Sequence, residues 1–392
     1  MKFNIRKPSH YGIYIIFYIN FLISVFIVIF YKKPKKQIIL FGHVFEGNLK
    51  YFYQQKEKLQ HEIFYISFSY KEYKSLKKEK IQVLSPLNPF NVFQIIRSNI
   101  FIASHGIPFH NLLSKLTDIK FFNIGHGITN TLVIGNPKQP NELFHSYWLL
   151  SEFEKKIWEE DINRTVSILK PTGFIRVENL VLNNKLKGVL KKKLNLEGKV
   201  AVFAPSGVER YDLNQNDNFQ YSNIKFLKLL ESLCIQEDIN LIFKPHYFNY
   251  EFKNIENEVV SFISNSEKLI YFEDLDIDDL NEILIISDFL LTDYSSIFVD
   301  FLSLGKPIIF LDVLKRWENT VFSKYLDNEF IEFINTFEEF KKVFSNISKE
   351  EKYSNKLKKL DKVIYDDIYK TGSMNNYMSD LSKVLKINIK DI

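Results

Sequence analysis

The segment Leu291-Thr292-Asp293-Tyr294-Ser295-Ser296 joins an apolar stretch, Asp288–Thr292, to a helical pattern that begins near Ser295. Two adjacent hydroxyls at a helix start, just past the carboxyl end of a strand, sit where backbone N–H groups and the positive end of the helix dipole can meet a phosphate. The same residue types also serve as plain helix caps, with Asp293 or Ser295 accepting from the first turn. Apolar Ile297, Phe298, Phe301, Leu302 and Leu304 give that helix one face for a sheet, Gly305 suits its C-cap, and Pro307 stops it.

Three histidines stand in comparable places. His126 lies in Asn123-Ile124-Gly125-His126-Gly127-Ile128-Thr129, directly after the apolar stretch Lys120–Ile124. Glycines on both sides let the backbone turn sharply and leave the ring uncovered. An imidazole with an ordinary pKa near about 6.5 can take a proton from an attacking hydroxyl at neutral pH. His105, in Ser104-His105-Gly106, has the same setting, and the residue pattern does not rank the two. His246 follows Asn240–Phe243 in Phe243-Lys244-Pro245-His246. There proline stiffens the exit from a strand, so that Lys244 and His246 can both offer charge or donors to a diphosphate. A hydrogen-bonded turn histidine fits each of these positions too.

Other chemistries lose ground. The sequence contains no HExxH, no P-loop, no G-x-S-x-G and no Cys/His metal spacing, so no metal site or cofactor is expected. The single cysteine, Cys234, falls in the apolar-periodic stretch Phe226–Ile235 and reads as a small core residue. A net charge of +5, with lysines spread along 392 residues, makes nucleic acid a poor partner and leaves an anionic lipid or a phosphate-bearing substrate permissible. At 46% hydrophobic and 25% charged residues, the chain has the apolar surface for sizeable cores.

The elements that must position these residues follow a βα grammar. Gln37–Gly42, Glu62–Phe68, Ile100–Ser104, Lys120–Ile124 and Ser146–Leu150 read as strands of one parallel sheet. Lys199–Ala204, Asn240–Phe243, Leu269–Tyr271, Asp288–Thr292 and Pro307–Leu311 read as strands of a second, with helices around Asn223–Cys234, Asp278–Ser287 and Ser295–Leu304. The boundary falls near Pro171–Leu190. The expected fold class is α/β, with two Rossmann-like, doubly wound lobes facing a central cleft. Residues 37–175 form the acceptor lobe and 176–392 the donor lobe. Ligands in such sheets bind outside the carboxyl ends of the strands.

Residues 1–36 are set apart. Tyr11 to Tyr31 is an uncharged run of about 21 residues, long enough for a helix to cross a hydrocarbon core of about 30 Å. Lys2, Arg6 and Lys7 precede it, and Lys32, Lys33, Lys35 and Lys36 follow it. The expectation is an N-terminal membrane helix that keeps the catalytic lobes at the cytoplasmic face of the membrane. Asn20 and Ser24 interrupt the run, so a helix lying on the membrane is the alternative.

Taken in order, these pieces resemble the CDP-glycerol glycerophosphotransferase family of teichoic acid and capsule synthesis. The resemblance is carried by Ile286–Phe301 followed by Lys306-Pro307-Ile308-Ile309-Phe310. Lys244-Pro245-His246, Ala204-Pro205-Ser206, Thr172-Gly173-Phe174-Ile175-Arg176 and His126-Gly127 support it, with a fainter echo at Gly42–Tyr51. The chain departs from the family where Gly125 replaces a tryptophan, Ile128 and Thr129 replace Thr-Pro, and Tyr247 replaces a proline.

The resemblance implies a GT-B-type fold and transfer of a polyol phosphate from CDP-glycerol, or CDP-ribitol, to a hydroxyl of a lipid-linked glycan or polymer. It implies His126 as general base and His246, Ser295 and Ser296 as ligands of the donor diphosphate. Lys244, Thr292, Asp293 and Asp300 join the donor side as orienting or nucleotide-contacting groups, and Gly127 and Thr129 the acceptor side. A glycosyltransferase using a nucleotide-sugar, and a membrane-tethered scaffold without catalysis, are the competing readings of the same lobes.

Overall fold

Short strands, buried on both faces and alternating with helices, build two parallel sheets. The computed structural model describes residues 8–30, 35–107, 110–128, 143–160, 166–206, 224–244, 253–277, 279–293, 295–311, 321–326, 331, 333–347, 355–366, 368 and 372–387. The first sheet contains β1 (Lys35–Phe41), β2 (Glu62–Ile66), β3 (Val83–Leu84), β4 (Ser98–Ala103), β5 (Lys120–Asn123), β6 (Ser146–Leu149) and β7 (Leu169–Pro171). The second contains β8 (Lys199–Phe203), β9 (Ile239–Phe243), β10 (Leu269–Tyr271), β11 (Phe289–Thr292), β12 (Ile308–Leu311) and β13 (Phe333–Ile334).

The strand orders are β3-β2-β1-β4-β5-β6-β7 and β10-β9-β8-β11-β12-β13, and all pairings are parallel. Each is a Rossmann order, which reverses between the first and fourth strands of its lobe and opens a crevice at their carboxyl ends. Those ends are β1 and β4 in the first lobe, β8 and β11 in the second. The period-2 alternation is visible in the cores. Ile38 and Leu40 pack on one face of the first sheet, Ile39 and Phe41 on the other. Val200 and Val202 face one core of the second lobe, Ala201 and Phe203 the other.

The helices are α1 (Pro8–Phe30), α2 (Gly47–Gln54), α3 (Tyr70–Lys78), α4 (Pro89–Ile96), α5 (His110–Leu116), α6 (Glu152–Glu160), α7 (Ile175–Asn183) and α8 (Lys187–Lys193) in the first half. They continue as α9 (Ile224–Gln236), α10 (Lys253–Ser264), α11 (Leu280–Ile286), α12 (Ile297–Leu302), α13 (Val321–Tyr325), α14 (Phe337–Ile347), α15 (Asn355–Tyr365) and α16 (Ser373–Leu385).

Two features differ from the sequence expectation. The last helix, although it follows the second sheet, packs into the first lobe: Met374, Tyr377 and Leu381 belong to the same core as Ile38, Phe52 and Trp148. Tyr377 stacks on Trp148 at 4.3 Å and 12°, and the indole Nε1 donates to Asp380 at 2.8 Å. The division at 175/176 therefore separates the sheets, while the chain's end crosses back.

The second difference is at the amino terminus. Helix α1 forms over most of the apolar run, yet it lies docked along α4. Phe17 and Phe21 are buried against the sheet and α4, and Asn20 Nδ2 donates to Leu87 O at 3.0 Å while Ser24 Oγ donates to Pro89 O at 3.3 Å. The two polar residues that interrupt the run are thus the ones that bind protein. Among the described residues no helix is long and apolar enough to cross a membrane, which corrects the expected spanning helix.

Candidate active site

The crevice of the second lobe is built by the loops after β8 and β11. Register pairs Leu291 with Phe203, so Thr292 and Ala204 leave the sheet side by side, and Thr292 Oγ1 donates to Ala204 O at 2.7 Å. Asp293 is fully buried. It accepts from the Ser206 backbone N at 3.0 Å, from Ser206 Oγ at 2.7 Å and from the Ser295 N at 2.9 Å. One carboxylate thus fixes both loops, and Ser295 and Ser296 are left half-buried at the start of α12. Thr292 and Asp293, expected on the donor side as orienting or nucleotide-contacting groups, bond within the protein and shape the turn from behind. Since α12 is short, its dipole adds little, and the hydroxyls and N–H groups of the turn are its phosphate-binding capacity.

Lys244 ends β9 beside this turn, its backbone N bonded to Phe203 O at 2.9 Å and its Nζ 5.5 Å from the Phe272 ring centre. Burial lowers its pKa, and Glu46 of the first lobe works in the opposite direction. His246, Tyr294 and Thr129 lie outside the described residues. Lys306 belongs elsewhere: its Nζ donates to Ile285 O at 2.7 Å and Leu284 O at 3.3 Å, the last carbonyls of α11, and burial pulls its pKa down to about 7. The Lys306-Pro307 motif is therefore a helix cap.

In the first lobe, the crevice is lined by histidines. His43 follows β1, His105 follows β4 and His126 follows β5, strands that are neighbours in the sheet. Their rings form a ladder, His43 to His105 at 4.0 Å and His105 to His126 at 4.1 Å with planes 23° apart. Ser104 anchors two of them: its carbonyl lies 3.0 Å from His126 Nδ1, its Oγ 2.8 Å from His105 Nδ1. A carbonyl only accepts, so His126 carries its proton on Nδ1 and keeps the Nε2 lone pair for a substrate proton. His126 opens to the cleft while both lobes surround it. That enclosure lowers its pKa, with the Ser104 bond opposing and Arg176 reinforcing the shift. The ring is a neutral base at physiological pH.

The His126 loop is held tightly. Gly125 adopts φ +66°, and a Cβ there would meet the Phe174 ring at 2.9 Å. Phe174 thus leaves no room for a side chain at position 125 in this chain. Asn123 Oδ1 accepts from Gly125 N at 2.9 Å, and Asn48 Nδ2 donates to Ile124 O at 3.0 Å and Gly125 O at 3.2 Å. Asn48 Oδ1 also accepts from Arg176 N at 3.1 Å.

Arg176 carries the connection into the second lobe. Its guanidinium makes a two-pronged pair with Asp300 of α12, both bonds 2.9 Å, and Asn281 Nδ2 donates to its carbonyl at 2.9 Å. Burial acts against the arginine charge, but Asp300 more than offsets it and raises the pKa. Both oxygens of Asp300 are engaged by Arg176, so Asp300 ties α12 to the start of α7. Lys50 and Asp279 form an ion pair across the lobes at 3.6 Å. As a result Gly127 faces Ser296 so closely that a Cβ on the glycine would lie 3.4 Å from the serine Oγ.

His43, Asn48 and Arg176 were not singled out as site residues from sequence, whereas Asp300, expected on the donor side, is the partner that Arg176 engages. His43 carried a readable signal, since Phe41-Gly42-His43 repeats the strand, small residue, histidine order of Ser104-His105 and Gly125-His126.

Two Rossmann-like lobes, with a hydroxyl-bearing turn on one set against a histidine ladder on the other, have the layout of a GT-B-like fold. The chain belongs to the CDP-glycerol:poly(glycerophosphate) glycerophosphotransferase family, a family of transferases, whose model matches residues 24–372. It is 29% identical over 143 residues to a teichoic acid poly(glycerol phosphate) polymerase of Bacillus spizizenii, a stretch covering 36% of this chain and 34% of that protein. It is 26% identical over 166 residues to a teichoic acid poly(ribitol-phosphate) polymerase of the same organism, covering 41% of this chain and 25% of the relative. The chain thus spans about a third or less of the curated relatives it matches.

Among solved structures, the wall teichoic acid polymerase TagF superposes with a TM-score of 0.66 at 15% identity over 90% of each chain. A UDP-GlcNAc 2-epimerase from Neisseria meningitidis superposes at 0.55, with 12% identity over 88% of this chain and 99% of its own. At these identities the likeness is one of fold.

Proposed function

We propose that this protein transfers glycerol phosphate from CDP-glycerol to a hydroxyl of a lipid-linked glycan or polymer at the cytoplasmic face of the membrane, releasing CMP. The observation that carries the reading is the approach of the His126 loop to the Ser296 turn across the cleft. Ser295, Ser296 and Lys244 hold the donor diphosphate, and His246 joins them by family resemblance. His126 Nε2 takes the proton of the acceptor hydroxyl, whose oxygen attacks the β-phosphorus. A new P–O bond forms to the acceptor, the bridging P–O bond breaks, and its electron pair leaves on CMP.

Phosphoryl transfer of this kind rests on positioning and charge stabilisation, which a fixed base and a set of N–H, hydroxyl and ammonium donors provide. The family membership and the CDPG soak of a TagF variant support CDP-glycerol as donor. The ribitol-phosphate polymerase among the relatives makes CDP-ribitol the necessary comparison.

The test is a donor panel with the purified chain and a membrane-derived acceptor. CMP release with CDP-glycerol above CDP-ribitol and above nucleotide-sugars is the expected result. Release of a nucleotide from a sugar donor alone would replace the reading with glycosyl transfer.

A further inference from the structure

The loop from β1 to α2 ends on a carboxylate, Glu46, whose neighbours on both sides are anchored. Phe45, before it, packs its ring on Tyr65 at 4.9 Å and on Tyr53 at 5.5 Å, and its backbone N donates to Glu72 Oε1 at 3.3 Å. Gly47, after it, turns the chain at φ +54° beside Arg176, where a Cβ would lie 3.7 Å from the arginine Cδ. Asn48 is bonded to the His126 loop and to Arg176 N. Between these anchors Glu46 has an extended backbone and opens α2 without its side chain capping the helix. Among the described residues its carboxylate accepts no hydrogen bond, and the residue is exposed. A fixed backbone with an unengaged side chain, past the carboxyl end of a strand that borders the crevice, is the arrangement of a residue that meets a ligand.

The surroundings of Glu46 define that ligand. Enclosure between the lobes raises its pKa, Lys244 across the cleft acts most strongly in the other direction, and Arg176 and Lys50 assist Lys244 against Asp279. Arg176 is already paired with Asp300 and Lys50 with Asp279, so Lys244, the lysine proposed to hold the donor diphosphate, is the cation that bears most on Glu46. A carboxylate opposite a phosphate-binding lysine has two effects. It accepts from a hydroxyl attached beyond the phosphate, and it repels further negative charge in that place. A terminal phosphate carries about −1.5 to −2 charge near neutral pH, whereas a polyol ester lacks the second ionisation and brings hydroxyl donors instead.

We infer that Glu46 determines specificity at the polyol end of the donor: its carboxylate receives a polyol hydroxyl and turns away nucleotides of the same base that end in a free phosphate, CDP and CTP. This rests on the proposed CDP-polyol donor and adds how the cleft tells it from more highly charged nucleotides. The second lobe holds the diphosphate through Lys244, Ser295 and Ser296, and the first lobe reads what is attached to it.

The test is calorimetric binding of CDP-glycerol, CDP and CTP to the full chain and to its Glu46→Gln and Glu46→Asp variants. Wild type is expected to bind CDP-glycerol at least about tenfold more tightly than CTP. Glu46→Gln keeps the shape and removes the charge, so the ratio of these two affinities should fall at least about tenfold, mainly through tighter CTP binding, at an unchanged unfolding midpoint. CDP should follow CTP. Glu46→Asp keeps the charge and should keep most of the rejection of CTP.

An unmoved ratio in Glu46→Gln, or equal tightening of all three ligands, would overturn the inference. So would a Glu46→Asp protein that binds CTP as Glu46→Gln does. Wild-type CMP release from CDP-glycerol reports separately on the proposed reaction. Release together with an unmoved ratio would overturn the inference alone, whereas a wild type that binds no CDP-glycerol would overturn both.

Discussion

Gly127 of the first lobe and Ser296 of the second face one another across the cleft: a Cβ placed on the glycine would lie 3.4 Å from the serine hydroxyl, in van der Waals contact with it. This approach sets the His126 loop opposite the Ser295–Ser296 turn, and it has a measurable consequence. Gly127→Ala should lower kcat by about tenfold or more, because the glycine's φ of +157° is one that a residue with a Cβ rarely adopts, and the loop shift that relieves it is costly at the reacting centre. The unfolding midpoint, followed by circular dichroism, should move little. An unchanged kcat would mean that the two loops separate during catalysis.

The His105 ring should matter through His126. It lies flat on the base at 4.1 Å and shares the Ser104 anchor. His105→Ala removes one wall that fixes the imidazole plane, and kcat should fall about tenfold with little change in donor KM. His105→Phe keeps a flat ring and should restore most of the rate. Equal loss in both variants would point to a direct role for the His105 nitrogens.

The pH profile follows from the same site. Enclosure by the two lobes, partly opposed by the Ser104 carbonyl and aided by Arg176, holds the His126 pKa below its ordinary 6.5. A base works only when unprotonated, so activity should persist below pH 6.5 and fall on further acidification. An acid limb centred above 6.5 would contradict the assignment.

Asp300→Ala should destabilise the protein by about 3 kcal/mol or more, because it leaves the Arg176 guanidinium buried without its partner. Urea unfolding measures this directly. Loss of only a few tenths of a kcal/mol would show that α12 keeps its place against α7 by other contacts.

Stability should also decline in acid through His110, which is buried against Phe121 and Phe144. Burial, with His145 adding to it, pushes its pKa down from 6.5 to about 4. The folded state resists protonation that the unfolded state accepts. The contribution is therefore complete above pH 6.5 and lost as pH falls toward about 4, by up to about 3 kcal/mol. His110→Phe should flatten this part of the stability curve, and a curve identical to wild type would exclude His110 as its source.

Most of the scaffold was legible because parallel strands buried on both faces announce themselves as apolar runs: Leu269–Tyr271 and Lys199–Phe203 needed little else. The short edge strands Val83–Leu84 and Phe333–Ile334 were not, since two residues carry no period. The Thr292–Ser296 turn was found by its position after a strand, but the division of roles within it was not readable. Thr292 and Asp293 look like ligands in sequence, and only the register of β8 beside β11 shows that they bond Ala204 and Ser206. The Arg176–Asp300 pair joins residues 124 apart, and the return of α16 to Trp148 spans 232, distances at which sequence periodicity is silent. The apolar run of α1 was correctly helical, whereas its docking depended on Asn20 and Ser24 finding carbonyls in the α4 turn.

The central claim is a division of labour across the cleft, with His126 acting on the acceptor proton and Ser296 on the donor phosphate. It is tested most directly by measuring CDP-glycerol binding and CMP release on the same preparations of His126→Ala and Ser296→Ala. The account predicts that His126→Ala binds CDP-glycerol as wild type does and releases CMP at least about a hundredfold more slowly, whereas Ser296→Ala weakens donor binding. A folded His126→Ala protein that turns over at the wild-type rate would contradict it.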